Sequence, residues 1–151
     1  MHIQAMPEKE CLDALARLRF GRLACTYFAQ PYIVPIYFAY HEGHLYAFST
    51  AGQKIKWMRA NSRVCVEADE IISPARWLSV VVFGNYEELP DTPKYKLVRN
   101  LASNMLSQRA KWWKPASVTS PHRRTSDTVA PIYYRIHIDL VTGHRAIPDH
   151  G

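Results

Sequence analysis

Tyr32-Ile-Val-Pro-Ile-Tyr-Phe-Ala-Tyr40 is apolar or aromatic at every position, so it has no polar face to turn toward water. In an antiparallel sheet such a strand needs cover on both sides. The inside of a barrel would cover one face, and a subunit interface or a ligand the other. Pro35 removes a ladder donor in mid-strand, so the strand is predicted to lie at an edge or to carry a bulge there.

Working outward, residues 20–28 form the predicted preceding strand, with Ala29-Gln30-Pro31 as the turn between the two. On the other side, His41-Glu42-Gly43-His44 makes a hairpin turn into a strand over 45–48. His41 and His44 read as solvent-facing turn residues, since no further ligands are spaced to complete a metal site. The chain then breaks at Ser49-Thr50-Ala51-Gly52 and restarts as a helix over 53–60 that carries Gln53 and Lys54 in its first turn. Two readings of this junction stand side by side. Free N–H groups, the positive end of the macrodipole, two hydroxyls and a lysine suit a phosphate. Thr50-Ala51-Gly52-Gln53 also fits a capping box that needs no ligand.

Elsewhere, Met6-Pro7-Glu8-Lys9-Glu10 opens a helix with Leu12, Leu15 and Ala16 as its apolar stripe. Strands are predicted over 63–69 and 77–89, with Gly84 marking a bend and the link over 70–76 too long for a tight hairpin. Thr92-Pro93 starts a third helix with Val98, Leu101, Ala102 and Met105 on one face. A poorly patterned stretch over 111–128 contains Trp112-Trp113-Lys114-Pro115. Last, Ile132, Tyr134, Ile136, Ile138 and Leu140 alternate against Tyr133, Arg135, His137 and Asp139, the period of a half-buried strand. The expectation is a single domain over 1–151, mainly β with peripheral helices, built on a six-stranded antiparallel barrel.

Composition narrows the class. The 151 residues are 48% hydrophobic and 21% charged, ordinary for a globular chain. No run approaches the roughly 18 apolar residues of a membrane span, and the first ten residues have neither the basic start nor the apolar run of a signal peptide. Cys11, Cys25 and Cys65 sit among apolar neighbours and read as small hydrophobes in a reducing compartment, which points to the cytoplasm. The net charge of +6 is uneven. No acid lies between Asp91 and Asp127, where Lys94, Lys96, Arg99, Arg109, Lys111, Lys114, Arg123 and Arg124 fall. Such a patch suits an anionic ligand or a nucleic acid.

Several motifs in order resemble the FMN-binding split barrels related to pyridoxamine 5′-phosphate oxidase, in particular the short branch that includes nitroimidazole-resistance-type proteins. They are Arg19-Phe-Gly-Arg-Leu-Ala, Pro31-Tyr-Ile-Val-Pro-Ile-Tyr, Leu45-Tyr-Ala-Phe-Ser-Thr-x-Gly-x-Lys54, Met58-Arg-Ala-Asn-x-Arg-Val-Cys-Val-Glu-Ala-Asp69, Trp77-x-Ser-Val-Val-Val-x-Gly84 and Trp112-Trp113-x-Pro115. The resemblance covers nearly the whole chain. It implies a homodimer with FMN in grooves between subunits. Ser49, Thr50, Gln53 and Lys54 then fall where the family holds the phosphate and ribityl chain. Pro35, Ile36 and Tyr37 fall on the strand along the isoalloxazine ring. Trp77 and Ser79 match a flavin-touching strand, and Trp112 or Trp113 an aromatic reaching the flavin from the other subunit. The reaction implied is electron transfer from NADH or NADPH to a small acceptor. Phe48-Ser49 stands where some nitroimidazole-resistance relatives have a histidine, which argues against nitroimidazole reduction, and the oxidase's basic substrate-binding residues are not evident.

Three alternatives accompany this reading. One is a non-catalytic flavin or haem carrier, for which His137 and His144 are conceivable axial ligands. Another is a reductase using the deazaflavin F420. The last and lowest-ranked is a single-strand nucleic-acid binder using Arg109, Lys111, Trp112, Trp113 and Lys114.

Overall fold

The computed structural model describes residues 1–107 and 130–150. Its strands are β1 (His2–Ala5), β2 (Phe20–Tyr27), β3 (Gln30–Tyr37), β4 (Ala39–His41), β5 (His44–Ser49), β6 (Arg63–Ser73), β7 (Arg76–Leu89) and β8 (Ile132–Ile147). Its helices are α1 (Glu8–Arg17), α2 (Gln53–Ala60) and α3 (Lys96–Ser107), the last preceded by a 3-10 turn over Pro93–Tyr95. All pairings are antiparallel, in the order β3-β2-β6-β7-β8-β5-β4, and β1 adds to the tail of β8. The mainly β class with peripheral helices is as expected, but the sheet has eight strands instead of six. The short β1 supplies one of the extra strands, and a break at Phe38 divides the strand predicted over 32–40 into β3 and β4.

That break closes the structure. β3 and β4 are the two ends of the strand order, yet only Phe38 separates them in the chain. A sheet whose far edges are joined by one residue must curl until those edges nearly meet. Phe38 is 1% exposed, and its N–H donates to the Arg19 carbonyl at 3.0 Å. Its ring packs against Gly21, where an added Cβ would stand 3.3 Å from the ring and only 2.3 Å from the Glu67 carbonyl oxygen. Pro35 sits on β3, which pairs only with β2, so the missing donor faces no ladder partner, as an edge strand allows.

Alternation sorts side chains into an inner and an outer set. Leu23, Cys25, Ile36, Val64, Val66, Val80, Val82, Tyr134 and Ile136 fill the barrel. At the end of β8 the alternation changes phase. Phe83 pairs with Leu140 and Gly84 with Ile138, which leaves Asp139 as the extra residue of a bulge. Leu140, placed by simple alternation on the buried side, is therefore 56% exposed, and Val141 turns inward. Gly84 lies at this bend, where a Cβ would stand 2.2 Å from the His137 carbonyl oxygen.

Other local readings shift. The turn between β2 and β3 is Phe28-Ala29, both at positive φ (47° and 60°), and Gln30 already belongs to the strand. β6 and β7 extend to a two-residue turn at Pro74-Ala75, because a register shift at Ile71 and Ser73 absorbs the extra length of the predicted link. α1 buries Cys11, Ala14 and Leu15, while Ala16 stays exposed. α3 lies outside the barrel over Tyr46, Leu89 and Tyr133. No helix among the described residues is long and apolar enough to cross a membrane.

Gly21→Ala is expected to cost about 2–3 kcal/mol, because the opposing atom is a backbone carbonyl within the ladder and cannot rotate away. Urea unfolding of the variant beside the wild type measures this.

Candidate functional site

The strongest candidate lies where β5 hands over to α2. β5 ends at Ser49, and Gly52 stands at the helix N-cap in an extended conformation (φ −175°, ψ −169°) with no side-chain cap hydrogen bond. The capping box read from Thr50 and Gln53 does not form. Lys56 N–H bonds back to the Gly52 carbonyl at 3.1 Å, so the N–H groups of the preceding turn have no side-chain acceptor. Ser49 Oγ donates to the Thr50 carbonyl at 2.9 Å and keeps its own oxygen lone pairs beside the opening.

The other end of α2 is fastened. Arg59 forms a two-point pair with Glu88, 2.7 Å from Nε and 3.1 Å from the second guanidinium nitrogen, and Tyr86 donates to the same carboxylate at 2.7 Å. Asn61 donates to Thr26 Oγ1 at 3.0 Å. Trp57 packs between the rings of Tyr27 and Tyr32, with centroids 5.6 and 5.5 Å away. Ile55 and Met58 bury the inner face. The helix is thus held at its C-terminal turn and along one side, while its N-terminal turn is left open.

Lys54 lies at that opening. It is half-buried rather than exposed, and it has no ion pair among the described residues. Burial pushes its pKa down, partly countered by the nearby Cys25 thiol. Burial pushes the Cys25 pKa up, against the pull of Lys54. The Tyr134 hydroxyl is fully buried, has no hydrogen-bond partner among the described residues, and is held far above the ordinary phenol range by burial, then by Cys25. A desolvated cation, a buried thiol and an orphaned hydroxyl thus cluster at one end of the barrel. An anion bound here would relieve the uncompensated charge of Lys54.

The remaining predicted residues divide. Pro35 and Tyr37 turn to the outer surface of the edge strand, Tyr37 against the Phe20 ring at 4.9 Å. Ile36 points inward and is 5% exposed, so only its backbone can meet a ligand. Trp77 and Ser79 lie on the outer surface of β7, three strand positions away from β3. Three strand spacings amount to roughly 14 Å, so within one chain Trp77 and Ser79 do not meet Pro35 and Tyr37. Trp112 and Trp113 lie outside the described residues. His137 and His144 face Asn85 and Ser79, roughly 20 Å apart along β7, and share no site.

Sequence reading missed two groups. Tyr134 was visible only as one more alternating residue. Arg22, Glu67, Asp69 and Ser79 form a polar cluster on the outer surface, with Arg22 at 3.4 Å from Glu67 and 3.0 Å from Asp69, and Ser79 donating to Glu67 at 3.4 Å. Burial, then Asp69, raises the Glu67 pKa against the pull of Arg22 and Ser79. These side chains come from three strands, and no local motif announces them.

A curled antiparallel sheet closed through one residue, with peripheral helices and an open helix start at its rim, is the architecture of the split β-barrels. Residues 7–145 match the family model described as pyridoxamine 5′-phosphate oxidase, and the chain belongs to that family. It is 44% identical to a Mesorhizobium loti protein whose crystal structure is described as that of an FAD-binding protein, over 97% of this chain and 99% of that one, with a TM-score of 0.81. An uncharacterised Rhizobium meliloti (strain 1021) protein is 38% identical over 97% of each chain. A Bacteroides thetaiotaomicron structure described as a putative 5-nitroimidazole antibiotic resistance protein shares the fold at 17% identity, with a TM-score of 0.68 over 96% of this chain and 89% of that one.

The clamp on α2 has a pH signature. The hydrogen bond from Arg59 holds the Glu88 carboxyl below the ordinary glutamate value of 4.5. Its stabilisation is complete above that value and is lost as the pH falls through the lower folded-state pKa. Glu88→Gln is expected to lower stability at neutral pH by under about 1 kcal/mol, since Arg59 is largely solvated. Urea midpoints measured from neutral pH down to about pH 3 should show the gap between variant and wild type closing as the acid range is entered.

Proposed function

We propose that this chain binds a flavin nucleotide with its phosphate at the start of α2, and that it acts as a homodimeric cytoplasmic oxidoreductase carrying electrons from NADH or NADPH to a small acceptor. The observation that carries the site is the uncapped N-terminal turn of α2 beside a half-buried Lys54 that has no carboxylate partner among the described residues. The donor set fits a phosphate ester: backbone N–H groups, the Thr50 hydroxyl, the Gln53 amide and one ammonium, joined by the Ser49 hydroxyl once it turns from the Thr50 carbonyl.

The bound flavin would supply the hydride and electron chemistry. The chain's own part is binding and orientation. Lys54 neutralises phosphate charge, and Ser49, Thr50 and Gln53 direct its oxygens. Pro35 presents a backbone without an N–H on the edge strand, and Tyr37 stacked with Phe20 offers an apolar wall. Among the described residues no side chain at this opening is arranged as a general acid or base, and water is the proton source in this reading.

FMN, with one phosphate, suits a single helix start. The FAD reading is favoured by the name of the Mesorhizobium loti relative at 44% identity, and would carry a second phosphate and adenosine beyond Lys54. Mass spectrometry of the small molecule released on denaturation separates the two. Absorbance of the purified protein, before and after NADH or NADPH, tests binding and turnover; a colourless protein that takes up neither flavin overturns the reading.

The dimer reading rests on the outer surface of the sheet. Cross-strand pairs align Ile33, Ala24, Cys65, Phe83 and Leu140 in one apolar row over β3, β2, β6, β7 and β8. Ile33 is 64% and Phe83 43% exposed, and a shallow groove of about 430 Å³ runs along the row beside Thr26 and Pro31. A contiguous apolar stripe of this length calls for a partner.

Lys54→Ala is expected to weaken flavin binding by on the order of tenfold or more, the scale of one charge-assisted hydrogen bond, with little change in melting temperature. Fluorescence titration of the apoprotein measures it, and unchanged affinity would remove the phosphate from this helix. Phe83→Glu is expected to shift the protein from dimer to monomer by light scattering, because it buries a charge in the centre of the apolar row.

A further inference from the structure

Cross-strand pairing also aligns a polar row: His41 opposite His44, His44 opposite His137, and His137 opposite Asn85. Within it, His44 Nε2 lies 3.4 Å from His137 Nδ1, with ring planes 57° apart. Each ring's other nitrogen faces an oxygen. His44 Nδ1 is 3.0 Å from the Glu42 carbonyl oxygen, and His137 Nε2 is 3.6 Å from Asp139 Oδ1. A carbonyl can only accept, so the His44 hydrogen sits on Nδ1 and its Nε2 presents a lone pair toward His137.

We propose that His44 Nε2 and His137 Nδ1 form a two-point seat for a divalent transition-metal ion of the zinc or copper type. Metal–imidazole bonds of about 2.0–2.1 Å at a tetrahedral angle place the two nitrogens about 3.3 Å apart, which is the separation found here. A hydrogen-bonded carbonyl on the far nitrogen of His44, and a carboxylate at ion-pair distance from that of His137, are the kinds of partner that orient metal-bound histidines. Neutral imidazole suits these ions. When the ion binds, the neutral His137 ring keeps its single proton on Nε2, toward Asp139, and Nδ1 supplies the lone pair.

The surroundings favour a cation. The Asp139 carboxylate lies 3.6 Å from His137, and Arg135, a cation acting on His44, is paired with Glu87. The geometry rests on strand pairing rather than on loops. Ile138 N–H donates to the Gly43 carbonyl at 3.0 Å, across the bulge at Asp139, and holds the β4–β5 turn against β8. Among the described residues no third histidine, cysteine or carboxylate joins the pair to make a three-ligand group. Water fills the remaining positions, and the ion serves as a clip between β5 and β8. This seat is separate from the α2 opening and does not depend on flavin.

The test uses untagged full-length protein stripped with chelator and titrated calorimetrically with zinc chloride and copper chloride. The expected result is one ion per chain, binding at least tenfold weaker in His44→Gln and in His137→Gln, and unchanged binding in His144→Ala, whose ring lies at the far end of β8. Zinc should raise the melting temperature of the wild type and of His144→Ala but not of the two glutamine variants, whose circular dichroism reports their folding. Copper resonance spectra of the wild type should show two nitrogen ligands. Failure of the wild type to bind either ion, or wild-type affinity in either glutamine variant, overturns the proposal.

Discussion

The structure depends on the single residue between β3 and β4. Seven strands are laid out in an order whose two ends are consecutive in the chain, so the sheet has no freedom to remain open. Phe38 makes the crossing tolerable. Its ring is buried in the core, its N–H is satisfied by Arg19, and the chain opposite is thinned to glycine at position 21. The curl then gives the sheet an inner surface that holds the core and an outer one divided between α3 and solvent.

Once the sheet is curled, α2 lies at its rim with one end fastened and the other open. The helix is asymmetric. Its last turn is tied by Arg59 to Glu88 and by Asn61 to Thr26, and its middle is wedged by Trp57. Its first turn has no side-chain cap and, among the described residues, no counter-charge for Lys54. A helix of eight residues gains little from its own cooperativity, so these tertiary ties keep it formed. The open turn carries the cost of unpaired donors and a desolvated amine, which a bound phosphate would offset.

The outer surface shows how antiparallel register assembles groups that are remote in the chain. One row of pairs yields an apolar stripe from five strands, its neighbour a cluster of Arg22, Glu67 and Ser79, and another the histidine pair of β5 and β8. Each property belongs to the ladder and to no single segment. The bulge at Asp139 matters for the same reason. It turns Leu140 outward to join the apolar stripe while leaving His137 beside His44.

Much of the fold was legible in the sequence, because its signals are local. Pro35 marked an edge strand, the alternation from Ile132 marked the last strand, Gly84 marked the bend, and Ser49-Thr50 before Gln53-Lys54 marked a helix start. The motifs that span the chain pointed to the family that the match over residues 7–145 confirms. The break at Phe38, the tight β6–β7 turn and the phase change at Asp139 were hidden, since each depends on which residues sit opposite in a neighbouring strand. The same holds for the half-burial of Lys54, the orphaned Tyr134 hydroxyl and the meeting of His44 with His137, more than ninety residues apart in the chain. Propensity and periodicity act over one turn or one strand, and so the sequence alone determined the elements and the chemistry they carry. Burial and cross-strand distance exist only after the sheet has closed, and so the tertiary structure alone decided which of those groups meet.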